Sequence, residues 1–143
     1  MLEQTTTAQS LARRETEAMA QVELVIGQTV VQAEFNDTGT ARAILEALPI
    51  ESTGNYWGSE FYFPVPVKLG PTPEDVEVVE PGTVAYWPAG SCLCVFWGPT
   101  PASQGDECRA ASPVTVVGRV VNPEVLGGLK GRKVRVQVAG GGA

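Results

Sequence analysis

No histidine occurs among the 143 residues. That absence removes the Ser-His-Asp and Cys-His arrangements, histidine-bearing metal clusters, and the side chain best suited to general-base work near neutral pH. Cysteine is scarce: only Cys92, Cys94 and Cys108 occur, an odd number that does not fit a secreted disulfide framework. No apolar run approaches the ~20 residues that cross a bilayer. The opening stretch MLEQTTTAQSLARRETEAMA lacks the apolar core of a signal peptide. A cytoplasmic location with no membrane partner is expected. Positive charge is in deficit, with 10 basic against 16 acidic residues and a net charge of −6. A phosphate backbone would be repelled on average, so no nucleic-acid partner is expected. The one basic cluster, Lys130, Arg132, Lys133 and Arg135, reads instead as the wet face of a strand whose Val134, Val136 and Val138 point inward. No phosphate-cradling glycine loop is present: Gly127-Gly128 reads as a helix stop and Gly140–Gly142 as a tail.

The chain does contain a globular composition, 43% hydrophobic and 18% charged, within a length suited to one domain. Residues 1–20 read as an extension, weakly helical around Leu11–Ala20 or an arm joining copies of the chain. The domain proper runs over 21–139, and 140–143 form a flexible tail. Val22, Leu24 and Ile26 alternate with Glu23 and Val25, then Val31, Ala33 and Phe35 with Gln32 and Glu34. Two strands joined at Gly27-Gln28 follow from that period of two. Asn36, Asp37, Thr38 and Thr40 supply capping oxygens to a helix whose apolar stripe is Ala41, Ile44, Leu45 and Leu48, ended by Pro49. Ser59–Val67 is strand-like but holds Pro64 and Pro66, which cannot donate to a ladder, so it lies at an edge or breaks midway. Further strands are expected at Val76–Val79, Thr83–Trp87, Ser91–Trp97, Val114–Val121 and Arg132–Val138. Residues 98–112 read as a long loop, a feature often tied to function. Asn122 is placed to cap a second short helix with Pro123 at its first position. About eight strands and two short helices make a mainly β, antiparallel barrel or sandwich.

This order of elements resembles the cyclophilins over roughly residues 21–139. TARAILEAL follows the first hairpin as the first cyclophilin helix does. PGTVAYWPAGSCLCVFWG is similar to the cyclophilin strand pair, and VTVVGRVVNPEVLGGL to the late strand and second helix. NYWGSEFYFPVPV and AYWPAG…FWGPTP more closely resemble a prokaryotic family of small cyclophilin-like proteins without assigned function. The resemblance implies a closed antiparallel β-barrel of about eight strands with two short capping helices. It also implies a site for prolyl isomerisation, a reaction with a barrier of about 18–20 kcal/mol. There an arginine polarises the peptide, and a histidine and aromatics rim a proline pocket. That arginine would fall within Ser59–Val67, yet none occurs between Arg42 and Arg109. Phe61 stands at or near its position, beside Glu60, and a carboxylate cannot donate the hydrogen bond that arginine gives. Cys92 and Cys94 fall near a pocket glutamine and phenylalanine. Ordinary isomerase activity is therefore not expected, unless Arg109 swings in from the loop.

The remaining candidates are aromatic. Trp57, Tyr62, Tyr86, Trp87, Phe96 and Trp97 crowd the middle third of the chain. Some fill the barrel. Glu60 and Tyr62, on the face opposite Phe61 and Phe63, are expected to line a groove with Trp87, a usual design for a peptide or small-molecule site. Glu60, an acid among aromatics, is the best candidate for a perturbed carboxyl. Cys92 and Cys94 share a strand face. Two thiols make a poor zinc site, and small buried hydrophobes is their simpler reading. The expected groove is thus Trp57, Glu60, Tyr62, Tyr86, Trp87, Cys92, Cys94, Phe96 and Arg109, taking a peptide or small molecule, with no metal and no cofactor. The alternatives are a divergent prolyl isomerase and a structural homo-oligomeric subunit.

Overall fold

The computed structural model describes residues 20–139; the expected extension, Ala20 apart, and the expected tail lie outside them. Strands β1 (Ala20–Ile26) and β2 (Thr29–Phe35) form the hairpin, with Leu24 opposite Val31. Gly27 turns it at φ 60°, where a Cβ would sit 2.2 Å from the Lys130 carbonyl oxygen, so only glycine fits. Helix α1 (Gly39–Glu46) is capped by Thr38, whose Oγ1 accepts the Ala41 N–H at 3.1 Å. It buries Ala41 and Ile44 in the main core.

Among the described residues ten strands form, not eight. The two extra ones are β3 (Ile50–Thr53) and β4 (Asn55–Tyr56), between Pro49 and Ser59, where no strand is assigned from the sequence. Next come β5 (Glu60–Pro64), β6 (Val76–Val79), β7 (Thr83–Trp87), β8 (Cys92–Phe96), β9 (Cys108–Val120) and β10 (Lys133–Val138). The path of paired strands is β3-β10-β1-β2-β9-β7-β8-β5-β4, with β6 attached to β9 alone. Its two ends, β3 and β4, are separated in sequence by Gly54 only, so the sheet curls until its ends meet. The expected closed barrel is nevertheless not closed by a backbone ladder. Pro64 ends β5 and has no N–H to give across the seam. Its carbonyl instead accepts the Ser52 hydroxyl at 2.7 Å.

The main core fills the inside of this curl. Val22, Leu24, Ile26, Phe35, Phe61, Phe63, Val84, Tyr86, Leu93 and Val95 are all fully buried there. From β10, Val134 and Val136 join it while Lys133 and Arg135 face water; Val138, expected inside, is 50% exposed, the β3 ladder beside β10 having stopped at Val136. A 3₁₀ helix, Pro123–Gly128, seats Leu126 in the same core. Asn122 does not cap it as expected: its Oδ1 accepts the Gln32 N–H at 2.8 Å and its Nδ2 donates to the Val30 carbonyl at 3.1 Å, tying the turn to β2. Among the described residues, no helix is long and apolar enough to cross a membrane.

Candidate functional site

The outer face of β5, β8 and β7 carries a second, smaller core. Side chains alternate across a strand, so Phe61, Phe63, Leu93 and Val95 go inward while Glu60, Tyr62, Cys92, Cys94 and Phe96 go outward. The registers align these last: Glu60 lies opposite Phe96, Tyr62 opposite Cys94, and Ala85 and Trp87 of β7 opposite Cys94 and Cys92. The cover is the first part of β9 together with β6. β9 pairs with β6 through Cys108 and Arg109, then with β7 from Thr115 onward. It thereby folds Cys108, Ala110 and Val114 down over Cys92, Cys94 and Phe96. The expected loop at 98–112 is shorter than the sequence suggests: residues 98–107 are irregular, and 108–112 are strand. Pro113 interrupts the apolar alternation, so this stretch does not read as a strand from sequence.

The cover is incomplete. Between it and the sheet lies a cavity of about 290 Å³, lined by Trp57, Glu60, Tyr62, Trp87, Cys94, Ala110, Ala111 and Val114. Trp57 is set by the short β4–β5 turn: its N–H donates to the Glu60 carbonyl at 2.9 Å, and Gly58 turns the chain at φ 62°. Trp87 is held from two sides. Its indole Nε1–H donates to Ser112 Oγ at 2.6 Å, and a Cβ on Gly90 would stand 2.3 Å from its ring.

Glu60 is the chemically unusual group. It is 5% exposed, and its Oε1 has no hydrogen-bond partner among the described residues. Burial pushes its carboxyl up to about 7, only partly offset by a hydrogen bond with the Cys94 thiol. Burial, and then the neighbouring Glu60 charge, push both Cys92 and Cys94 upward, so these thiols stay protonated. All three cysteines are free and buried.

A protein-family model described as cyclophilin-like matches residues 20–137. The chain belongs to the cyclophilin-like family. Among solved structures, the solution structure of a hypothetical protein from Archaeoglobus fulgidus is 37% identical to it. That likeness covers 85% of this chain and 96% of the other, with a TM-score of 0.73. No curated protein matches the chain significantly.

Of the nine expected groove residues, this cyclophilin-like domain brings Trp57, Glu60, Tyr62, Trp87 and Cys94 to the cavity wall. Cys92 and Phe96 lie on the same face but within the small core behind it. Tyr86 does not reach the cavity. It alternates with Trp87 into the main core, where its hydroxyl donates to the Val67 carbonyl at 2.7 Å and accepts the Leu69 N–H at 3.0 Å. Arg109 does not reach it either. Its Nε donates to Glu107 at 2.6 Å and its Nη1 to Glu77 at 3.0 Å, on the strand face opposite Ala110. Ala110, Ala111 and Val114 line the wall without having been expected. The alternation of Cys108, Ala110 and Ser112 is the signal available for Ala110 and Val114; Ala111, of the opposite parity, has none. Among the described residues, no group of three or more acidic or cysteine side chains is arranged to hold a metal ion.

Proposed function

We propose that this cyclophilin-like domain binds a small molecule, or a side chain presented by a peptide, in the cavity bounded by Trp57, Tyr62 and Trp87. The observation that carries the reading is the combination of an apolar, aromatic wall with a buried carboxyl that lacks a partner among the described residues. Binding pockets are mostly apolar with a few polar groups that fix orientation, and a volume near 300 Å³ lies at the small end of their range. A donor on the ligand would satisfy Glu60 while its apolar part displaces water from the aromatic wall. Catalysis of prolyl isomerisation is not part of this reading. The carboxyl cannot donate to a peptide carbonyl once ionised, and among the described residues no arginine lines the cavity.

The test is a fragment screen followed by ¹H–¹⁵N NMR, reading the indole N–H signals of Trp57 and Trp87. Binding fragments should shift both indoles. Fragments that bind and shift only signals elsewhere, or a screen without hits, would overturn the reading.

A further inference from the structure

Glu60 has something to gain that the described residues do not supply. A buried acceptor without a partner costs about 1–3 kcal/mol, and native proteins keep few of them. Oε1 of Glu60 is such an acceptor, in a residue that is 5% exposed. Among the described residues, no lysine or arginine shares its cavity, and Arg109, next to Ala110 in the sequence, is taken up by Glu107 and Glu77. The missing partner is thus positive or a hydrogen-bond donor, and it lies outside the described residues.

The rest of the wall selects between those two. Three aromatic side chains, Trp57, Tyr62 and Trp87, surround the same space as Glu60. Aromatic rings attract cations through their quadrupole, most strongly where water is excluded. The chain as a whole carries a net charge of −6, which draws cations toward it and repels anions. Ala110, Ala111 and Val114 complete the wall with apolar surface. We propose that the cavity is a receptor for an organic ammonium group, its N–H donors meeting Glu60 among the aromatic rings and its apolar body lying along Ala110, Ala111 and Val114. This rests on the cavity being a binding site.

Empty, Glu60 holds its proton up to about pH 7; a bound ammonium favours the ionised form. Affinity should therefore rise with pH through that region. The titratable groups on this face are Cys94 and Cys92 of β8 and Tyr62 of Glu60's own strand. In the small core behind the cavity Cys108 of β9 joins them, its thiol pushed upward by burial. Otherwise β7 offers Ala85 and Trp87, β9 offers Ala110, Ala111 and Val114, and the turn before β5 offers Trp57, none of which titrates.

The experiment compares 2-phenylethylamine, protonated throughout, with 2-phenylethanol, its neutral counterpart of similar shape. Both are titrated into the whole protein and followed by calorimetry and by the two indole signals. At about pH 8.5 the amine should bind at least about tenfold more tightly than the alcohol. At about pH 5.5 the amine should weaken by at least about tenfold, while the alcohol does not weaken. Glu60→Gln should remove the amine's advantage; the pH comparison needs no variant. Equal affinity for amine and alcohol at the higher pH overturns the ammonium inference and leaves the binding site standing. No binding of either probe, while fragments from the screen still shift the indoles, overturns the inference alone. No probe and no fragment together overturn the binding site as well.

Discussion

Glu60 sits where an apolar side chain would cost less, and its energetic signature follows from linkage. Its carboxyl titrates at about 7 in the folded chain, against an ordinary value of 4.5. Between those pH values the folded protein holds a proton that the unfolded chain has released, so stability falls as pH rises through the window. It is fully present below about 4.5 and lost above about 7, amounting to at most about 3 kcal/mol. Asp37 and Glu107 are both lowered, by hydrogen bonds from Arg42 and Arg109 respectively. Their stabilisation is lost in more acidic solution, outside the upper part of this window. Denaturant melts from about pH 5.5 to pH 8 should show wild-type stability declining and Glu60→Gln staying nearly flat. Parallel curves for the two proteins would mean that Glu60 titrates normally. Gly90 is the other decisive single residue. Its missing Cβ leaves room for the Trp87 ring, which would otherwise stand 2.3 Å away. Gly90→Ala should shift the Trp87 indole signal, break its bond to Ser112, and weaken any cavity ligand by about tenfold or more, about 1.4 kcal/mol. Unchanged affinity would show that Trp87 is not part of the wall.

At the scale of elements, period-two alternation makes one wall of the cavity legible, while adjacency within the aromatic cluster does not tell which neighbours reach it. Phe61 and Phe63 against Glu60 and Tyr62 sort correctly by parity alone, because β5 is buried on both faces and each face has its own core. The same parity separates Tyr86 from Trp87, although their adjacency in a cluster of aromatics suggests one groove. Tyr86 holds the irregular stretch after β5 instead, through Val67 and Leu69. Tyr86→Phe leaves a carbonyl and an N–H without that hydroxyl, and should cost about 1–3 kcal/mol in chemical denaturation. It should leave cavity ligands at wild-type affinity, since Tyr86 is not in the wall; a matching loss of affinity would contradict that assignment. The opposite wall was not legible. Ala110 and Ala111 are small, and the proline at 113 breaks the pattern around them. Their strand exists because β6 pairs with it, a contact some thirty residues distant in sequence.

For the whole molecule, the family was readable from the order of hairpin, helix and strand pair, since local alternation and capping fix each piece. The closure of the sheet was not, because it depends on which strand meets β5 at the seam. There, Gly54 leaves room that a Cβ would share with the Phe61 ring at 2.5 Å, and Pro64 has no N–H for a ladder. The sheet's curl nonetheless keeps the two faces distinct. The large core inside supplies the bulk of the buried apolar area, and the smaller one outside is left open at Glu60. A scaffold held by its inner core can leave a buried acid and a cavity on its outer face without losing the fold. The central claim is that this outer cavity is where a ligand sits. A crystal structure of the protein with its tightest-binding fragment tests it most directly. The account predicts the fragment between Trp57, Tyr62 and Trp87, with a donor within hydrogen-bond distance of Glu60. A fragment ordered elsewhere, with this cavity unchanged, would contradict it.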